Sequence, residues 1–343
     1  MTIREDVSLA EYTTLGIGGP ARFFAVAEDE DQAAEAVEWA AGRGLPLFVM
    51  GGGSNLLVRD EGFDGLVLLM KIHGVRRDGC VFDVGAGESW DGFVTRAVEA
   101  GCGGVECLAG IPGSVGGTPV QNVGAYGQEV AETIVSVRVL DRGTGSFREL
   151  LNEECGFRYR QSLFNTTERG RYVVLGVRFR LHPDGAAKVT YADLKRYFAG
   201  GEKDIDLVDV ASAVREIRRA KGMLIVEGDP DCRSAGSFFK NPVVPAGRLA
   251  EVAAAGGVAE GDVPHWPGGE GAVKLSAAWL IERAGFKKGF VDGAVGISSR
   301  HTLALINRGG ATAADVERLQ RRIVEGVKAK FGVTLEQEPV LVG

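Results

Sequence analysis

The sequence has little of what a metal site, a disulfide scaffold or a nucleic-acid binder needs. Its five cysteines (Cys80, Cys102, Cys107, Cys155, Cys232) are odd in number and never adopt a CxxC spacing, and its four histidines are scattered. A structural zinc site is therefore not expected, and the thiols are expected to be free. Basic residues are not in surplus: 39 Lys and Arg against 46 Asp and Glu give a formal charge of -7, which removes the electrostatic basis for nonspecific nucleic-acid binding. The opening "MTIREDVSLAEYTTLG" lacks an apolar core of signal-peptide length, and no uninterrupted apolar run is long enough to span a bilayer. Free thiols without an export signal read as a cytoplasmic chain with no membrane partner.

Glycine is what the chain has in excess, 51 residues of it with no collagen-like period. At 343 residues the chain exceeds one ordinary core, so two or three domains are expected. Hydrophobic residues at 45% and charged residues at 25% are ordinary globular values and argue against disorder.

Periodicity gives alternating helices and strands. "DEDQAAEAVEWAAGRG" (29–44) is a helix with an acidic start and a glycine stop, followed by the strand "LPLFVM" and then "GGGSN". "FDGLVLLM" reads as a buried strand, and "SWDGFVTRAVEAG" as a helix capped by Ser89. "IVSVRVLDR" and "RYVVLGVRFRL" are further strands, the second with outward arginines; "DVASAVREIRRAK" (209–221) is a helix. From about 222 the texture changes, first to turn-rich "GMLIVEGDPDCRSAG". A mixed α/β segment follows, with the helices "GAVKLSAAWLIERAGF" and "TAADVERLQRRIVEGVKAKFG" and the strands "HTLALIN" and "VTLEQEPVLVG". Thr312 and Asp315 are spaced as a capping box, with Gly332 past the end of the last helix.

Two segments compete to hold a phosphate. "LGIGGPA" carries Gly16, Gly18 and Ala21 in a GxGxxA spacing, but no apolar strand precedes it, Pro20 interrupts it, and "ARFFAVA" after it reads as a strand rather than a helix. A dinucleotide-binding βαβ unit needs the opposite context. The other candidate pairs "GGGSNLLV" (51–58) with "AGIPGSVGGTPVQNVGAYG" (109–127), which holds six glycines and two prolines. Without Cβ atoms, backbone N–H groups can converge on anionic oxygens. Ser54, Asn55, Ser114, Thr118 and Asn122 add neutral donors without bulk, so a pyrophosphate could be held with no lysine; the bland alternative is a pair of tight turns.

"GGGSNLLV", "AGIPGSVGGTPVQNVGAYGQEV", "FRYRQSLF", "IRRAK", "GSFFKNP", "VKLSAAWLIERAGF" and "LEQEP" occur here in one order. That ordered set, from about residue 12 to the C-terminus, resembles the UDP-N-acetylenolpyruvoylglucosamine reductase family. The resemblance implies an α+β (mixed α/β) fold: a vanillyl-alcohol-oxidase/PCMH-type two-part FAD-binding region and a C-terminal α/β substrate-binding domain. On this reading residues 1–62, joined by the C-terminal strand 333–343, form one FAD-binding subdomain, 63–221 the second, and 222–332 the substrate-binding domain. FAD would be bound by Gly51, Gly52, Gly53, Ser54, Asn55 and Leu56, and by Pro112, Gly113, Ser114, Gly116, Gly117, Thr118, Asn122, Gly124 and Ala125, its pyrophosphate lying in these two loops. Neither loop contains His or Cys and Cys107 lies just outside, so FAD is expected to be noncovalent, with NADPH as reductant.

The implied substrate is an enol ether of pyruvate on UDP-N-acetylglucosamine. The resemblance gives Arg160 as the active-site arginine, Ser237 as the proton donor and Glu338 as the catalytic glutamate. Residue chemistry alone leaves each open: Arg160 as a strand-edge arginine sharing a face with Arg158, Ser237 as a turn serine, and Glu336 as a rival to Glu338 on one side of a strand. Tyr191, Lys221 and Asn241 fall where the family contacts the diphosphate, Lys274 is a further candidate for the UDP moiety, and Lys221 could equally be a helix-end cation. The chain departs from the family pattern at Thr13, where Asn is common, and along "GMLIVEGDPDC". A monomer acting on small molecules is expected. A flavin oxidase of an alcohol or sugar, and a silent FAD- or nucleotide-sugar-binding protein, are the competing readings.

Overall fold

Strand Phe63–Met70 is apolar and buried from Gly65 to Met70, as expected of a strand covered on both faces. In the computed structural model, which describes residues 1–183, 185–199 and 204–343, it lies inside a four-stranded sheet. It pairs in parallel with Pro20–Ala27 on one side and Leu47–Met50 on the other, and Arg4–Ser8 borders the first of these. Helix Glu30–Ala41 connects them, its N-terminus capped by the Asp29 carboxylate accepting from Gln32 N. Ala33, Ala36, Val37 and Ala40 form its buried stripe.

The chain forms two compact units. The first comprises Met1–Val7, Ala21–Gly53 and Phe63–Ala220; the second comprises Ser8–Pro20, Ser54–Gly62 and Lys221–Gly343. Besides the parallel sheet, the first unit holds a five-stranded antiparallel sheet in the order Ser146–Leu151, Ile134–Asp141, Tyr172–Arg180, Val81–Gly85, Val75–Asp78. Helix Trp90–Glu99, capped by Ser89, contributes Trp90 and Phe93 to the core beside it, and Phe93 stacks on Phe179 at 4.8 Å. Asp141, almost wholly buried, accepts from Arg171 Nη2 at 2.9 Å and from Gly143 N at 2.9 Å. The Arg171 hydrogen bonds hold its carboxyl below the usual carboxylate range. A folded-state pKa below the unfolded one contributes stability above pH ~3.9 that fades as pH drops through the folded value. The stability gap between the parent and Asp141→Asn should therefore shrink between roughly pH 5 and 2 in acid-unfolding titrations; a gap independent of pH would refute this.

In the second unit, helix Ala313–Phe331 begins in the expected capping box of Thr312 and Asp315 and ends at Gly332, whose φ of 62° suits glycine. Asp60 adds a second cap, its two carboxylate oxygens accepting from Ala313 N (2.8 Å) and Ala314 N (3.0 Å). Asp60→Ala should cost about 1–2 kcal/mol, read as an earlier denaturant midpoint; an unchanged midpoint would show the box suffices alone. Val340–Val342 pairs in parallel with Leu56–Val58.

Several expected elements are corrected. The helix anticipated over 271–286 is a strand, Ala272–Leu275, followed by helix Ala277–Arg283, because Ser276 caps Trp279 N and the residues before it pair on both sides. The strand "HTLALIN" is confined to Leu305–Asn307, and the C-terminal strand to Val340–Val342. The thiols are not all free: Cys80 and Cys102 form a disulfide with Cα atoms 5.7 Å apart. Cys80 occupies the turn of a hairpin and Cys102 follows a helix, so only the tertiary fold brings them together. "LGIGGPA" leads into strand Pro20–Ala27, as its rejection as a dinucleotide fingerprint requires.

Candidate active site

In the first unit the two glycine stretches meet backbone to backbone. A Cβ on Gly52 would stand 2.6 Å from Gly113 Cα and 2.9 Å from its carbonyl carbon, so only glycine allows this approach. Ser114 is buried beside Gly51, and among the described residues its Oγ has no hydrogen-bond partner. An unpartnered buried hydroxyl next to bare backbone suits an oxygen-rich ligand, since leaving it unmet costs roughly 1–3 kcal/mol. A pyrophosphate, and so FAD, fits this cradle.

Several donors of the second glycine loop are already engaged within the chain. The N–H groups of Gly116, Gly117 and Thr118 bond internally to Ala86, Ser114 and Val115 carbonyls in a short 3-10 turn. The Thr118 hydroxyl donates to Val115 O, and the Asn122 amide donates to Glu129 and to Arg158 O, so neither side chain is the spare neutral donor anticipated. Gly124–Ala125 pairs with Gln128–Glu129 in a small hairpin. Cys107 is buried and its thiol is pushed up to about 12 by burial, which leaves it a poor nucleophile toward a flavin.

Asn122 connects the second glycine loop to Arg160. Arg158 and Gln161 exchange backbone hydrogen bonds of 2.9 and 3.0 Å, closing a turn in which Arg160 takes a φ of 56°. Asn122 Nδ2 holds Arg158 O at 3.1 Å and Asn165 Nδ2 holds Arg160 O at 3.2 Å. Arg160 is thus the tip of a clamped turn, not the strand-edge arginine weighed above. A left-handed backbone at a non-glycine residue is costly and often marks a functional position.

Tyr191 is exposed at the start of helix Ala192–Tyr197, with its ring edge-on to that of Tyr126 at 5.5 Å. Tyr126 is bonded in turn to Arg218, which is only 6% exposed and donates from Nε to Gly110 O at 3.0 Å. Burial draws the Arg218 guanidinium below the ordinary arginine range. Sequence reading passed over Arg218, although it continues the apolar stripe Leu207, Val210, Ala211, Val214 of its helix. An arginine on such a stripe is a signal of internal charge.

In the second unit Ser237 and Glu338 lie on neighbouring backbone segments. Phe239 bridges Gln337, Phe238 O accepts from Glu338 N at 2.9 Å, and Phe238 N donates to Leu303 O at 2.7 Å. Buried Phe238 and Phe239 anchor the segment. Asn55 Nδ2 reaches Glu338 O at 3.4 Å, and Val340 N donates to Asn55 O. Glu336 differs from its rival: its carboxylate is 77% exposed and lies 3.7 Å from Lys240 Nζ. Asn241 and Lys274 converge on the small sheet formed by Val243–Pro245, Ala272–Leu275 and His265–Pro267, where Lys274 pairs with Val243 and Asn241 Oδ1 accepts from Ala277 N. Lys221 precedes Gly222, which lies against Arg300 and Asp231.

A residue absent from the sequence reading stands beside Ser237. His301 Nε2 is 3.4 Å from Ser237 Oγ. Its loop is tied down: Ser298 Oγ accepts from Arg300 N and His301 N, Ser299 Oγ donates to Asp231 at 2.7 Å, Arg300 pairs with Asp229 and Asp231, and Thr302 donates to Glu282. Burial alone would raise the Asp231 pKa, but hydrogen bonds from Ser299 and Arg300 hold it below the usual range.

Residues 229–342 match the family of the UDP-N-acetylenolpyruvoylglucosamine reductase C-terminal domain, and residues 21–151 match an FAD binding domain. The UDP-N-acetylenolpyruvoylglucosamine reductase of Thermobifida fusca is 49% identical over 98% of this chain and 97% of its own length. That of Saccharopolyspora erythraea is 49% identical over 98% of this chain and 94% of its own. The crystal structure of the reductase from Thermus caldophilus superimposes with a TM-score of 0.70 at 30% identity, covering both chains entirely. Agreement of this kind along the whole length bears out the mixed α/β architecture with its FAD-binding region. This chain belongs to the UDP-N-acetylenolpyruvoylglucosamine reductase family.

Proposed function

We propose that the protein catalyses NADPH-dependent, FAD-mediated reduction of UDP-N-acetylglucosamine enolpyruvate to UDP-N-acetylmuramate in peptidoglycan precursor synthesis. Near-full-length identity to reductases of that name carries this reading, and the bare-backbone cradle around Gly52 and Gly113 supports it. Noncovalently bound FAD would supply the hydride, taken from NADPH, to the enolpyruvyl methylene carbon. Gly51, Gly52, Gly113 and Ser114 would hold its pyrophosphate.

Arg160 would grip the enolpyruvyl carboxylate through two parallel hydrogen bonds and stabilise the charge that builds there. Glu338 would act protonated or hydrogen-bonded, because a bare carboxylate would repel that charge. Its place beside the Ser237 segment favours it over solvent-facing Glu336. Ser237 would deliver the proton to the carbon adjoining the methylene. Tyr191, Lys221, Asn241 and Lys274 would bind the diphosphate, Tyr191 from a closing segment that excludes water. The division into FAD-binding subdomains 1–62 with 333–343 and 63–221, and a substrate-binding domain 222–332, is part of this proposal.

Among the described residues no helix is long and apolar enough to cross a membrane. A cytoplasmic monomer is proposed because NADPH and UDP-sugars are cytoplasmic solutes; the Cys80–Cys102 disulfide withdraws the free-thiol argument. Purified protein should be yellow and release intact FAD in acid, and NADPH oxidation should require the UDP-enolpyruvyl sugar. A colourless protein that cannot be reconstituted, or oxidation indifferent to the sugar, would overturn the assignment. Gel filtration tests the monomer.

A further inference from the structure

A serine hydroxyl is a poor acid, so a proton donor of this type needs a neighbour that restores its proton as it leaves. In the second unit one side chain is built for that position. We infer that His301 is the proton-relay partner of Ser237, and that the Asp229–Asp231 turn exists to hold it there. The inference rests on the proton-donor reading of Ser237. His301 Nε2 lies 3.4 Å from Ser237 Oγ, within range of a contact that tightens when substrate binds. The run Ser298–Thr302 is fixed at each step by buried or ion-paired groups, a rigidity that a surface loop does not need. The turn Asp229–Asp231 supplies the carboxylates that pin Arg300 next to the imidazole. Asp231 is therefore a positioning residue acting through Arg300 and Ser299.

In the step itself, the Ser237 O–H bond breaks as its proton bonds to the substrate carbon. His301, entering the step as imidazolium, gives its Nε2 proton to remake the hydroxyl and becomes neutral imidazole, which regains a proton from solvent. One solvent proton is delivered, and both side chains end as they began.

The test compares half-reactions of the FAD-loaded enzyme by stopped flow. In His301→Ala and His301→Asn, flavin reduction by NADPH should stay within about twofold of parent, while reoxidation by the UDP-enolpyruvyl sugar slows about 100-fold. Added imidazole should restore part of the rate to His301→Ala, which a merely structural role would not allow. Independently of turnover, Ser237→Ala should shift the ¹⁵N signal of His301 Nε2, assigned by its loss in His301→Asn, and this holds the inference to account should the alanine variant fail to fold. Reoxidation within threefold of parent in the His301 variants, or an unmoved ¹⁵N signal, overturns it. If Ser237→Ala also reoxidises normally, the fault lies with the Ser237 assignment instead.

Discussion

Ser237→Ala should leave NADPH reducing the flavin at close to the parent rate, while reoxidation by the enolpyruvyl sugar slows about 10²- to 10⁴-fold. The separation follows from where the hydroxyl acts. Hydride arrival at the flavin needs no proton from Ser237, whereas completing the carbon–hydrogen bond on the substrate does. Packing supports a clean result: Ser237 is joined to buried Phe238, whose N–H and carbonyl are both bonded, so losing one oxygen should not move the backbone. Single-turnover traces with pre-reduced enzyme measure the slow step directly. Survival of both half-reactions would remove Ser237 from the chemistry.

Gly52→Ala should strip the protein of flavin. Its added methyl would meet Gly113 Cα at 2.6 Å and the Gly113 carbonyl carbon at 2.9 Å, backbone atoms that cannot rotate aside. Relieving the clash must part the two loops, at about 1–3 kcal/mol by analogy with overpacked cores. In FAD affinity that is a loss of about 5- to 150-fold. Gly51→Ala is a useful contrast, because its methyl would meet the Ser114 hydroxyl, a side-chain atom rather than backbone. Titration of deflavinated protein with FAD gives both constants. Equal affinity in Gly52→Ala and parent would mean that the pyrophosphate does not rest on this contact.

Much of the framework was legible because local chemistry and tertiary demand agree. The stripe of Glu30–Ala41, the capping box at Thr312 and the buried run of Phe63–Met70 each show a period that one environment satisfies. The strand Ala272–Leu275 was hidden inside a helix-like pattern, since its pairing partners lie elsewhere in the chain and leave no local mark. The glycine loops were legible, but not what their polar side chains serve: Thr118 and Asn122 look like spare donors until the folded chain shows the carbonyls and carboxylate they bond to. Arg160 and Ser237 could be chosen only through family resemblance, because nothing in their neighbours' chemistry reveals a clamped turn or a nearby imidazole. Pairing of Cys80 with Cys102 is likewise a property of the fold, invisible in their spacing.

Val340–Val342 lies alongside Leu56–Val58, and the second unit gathers its parts from the beginning, the early middle and the far end of the chain. During synthesis the Leu56–Val58 edge would wait exposed on the ribosome while nearly everything else is translated. Removing Val340–Val342 should therefore leave the Leu56–Val58 edge unpaired, a cost out of proportion to the few residues lost.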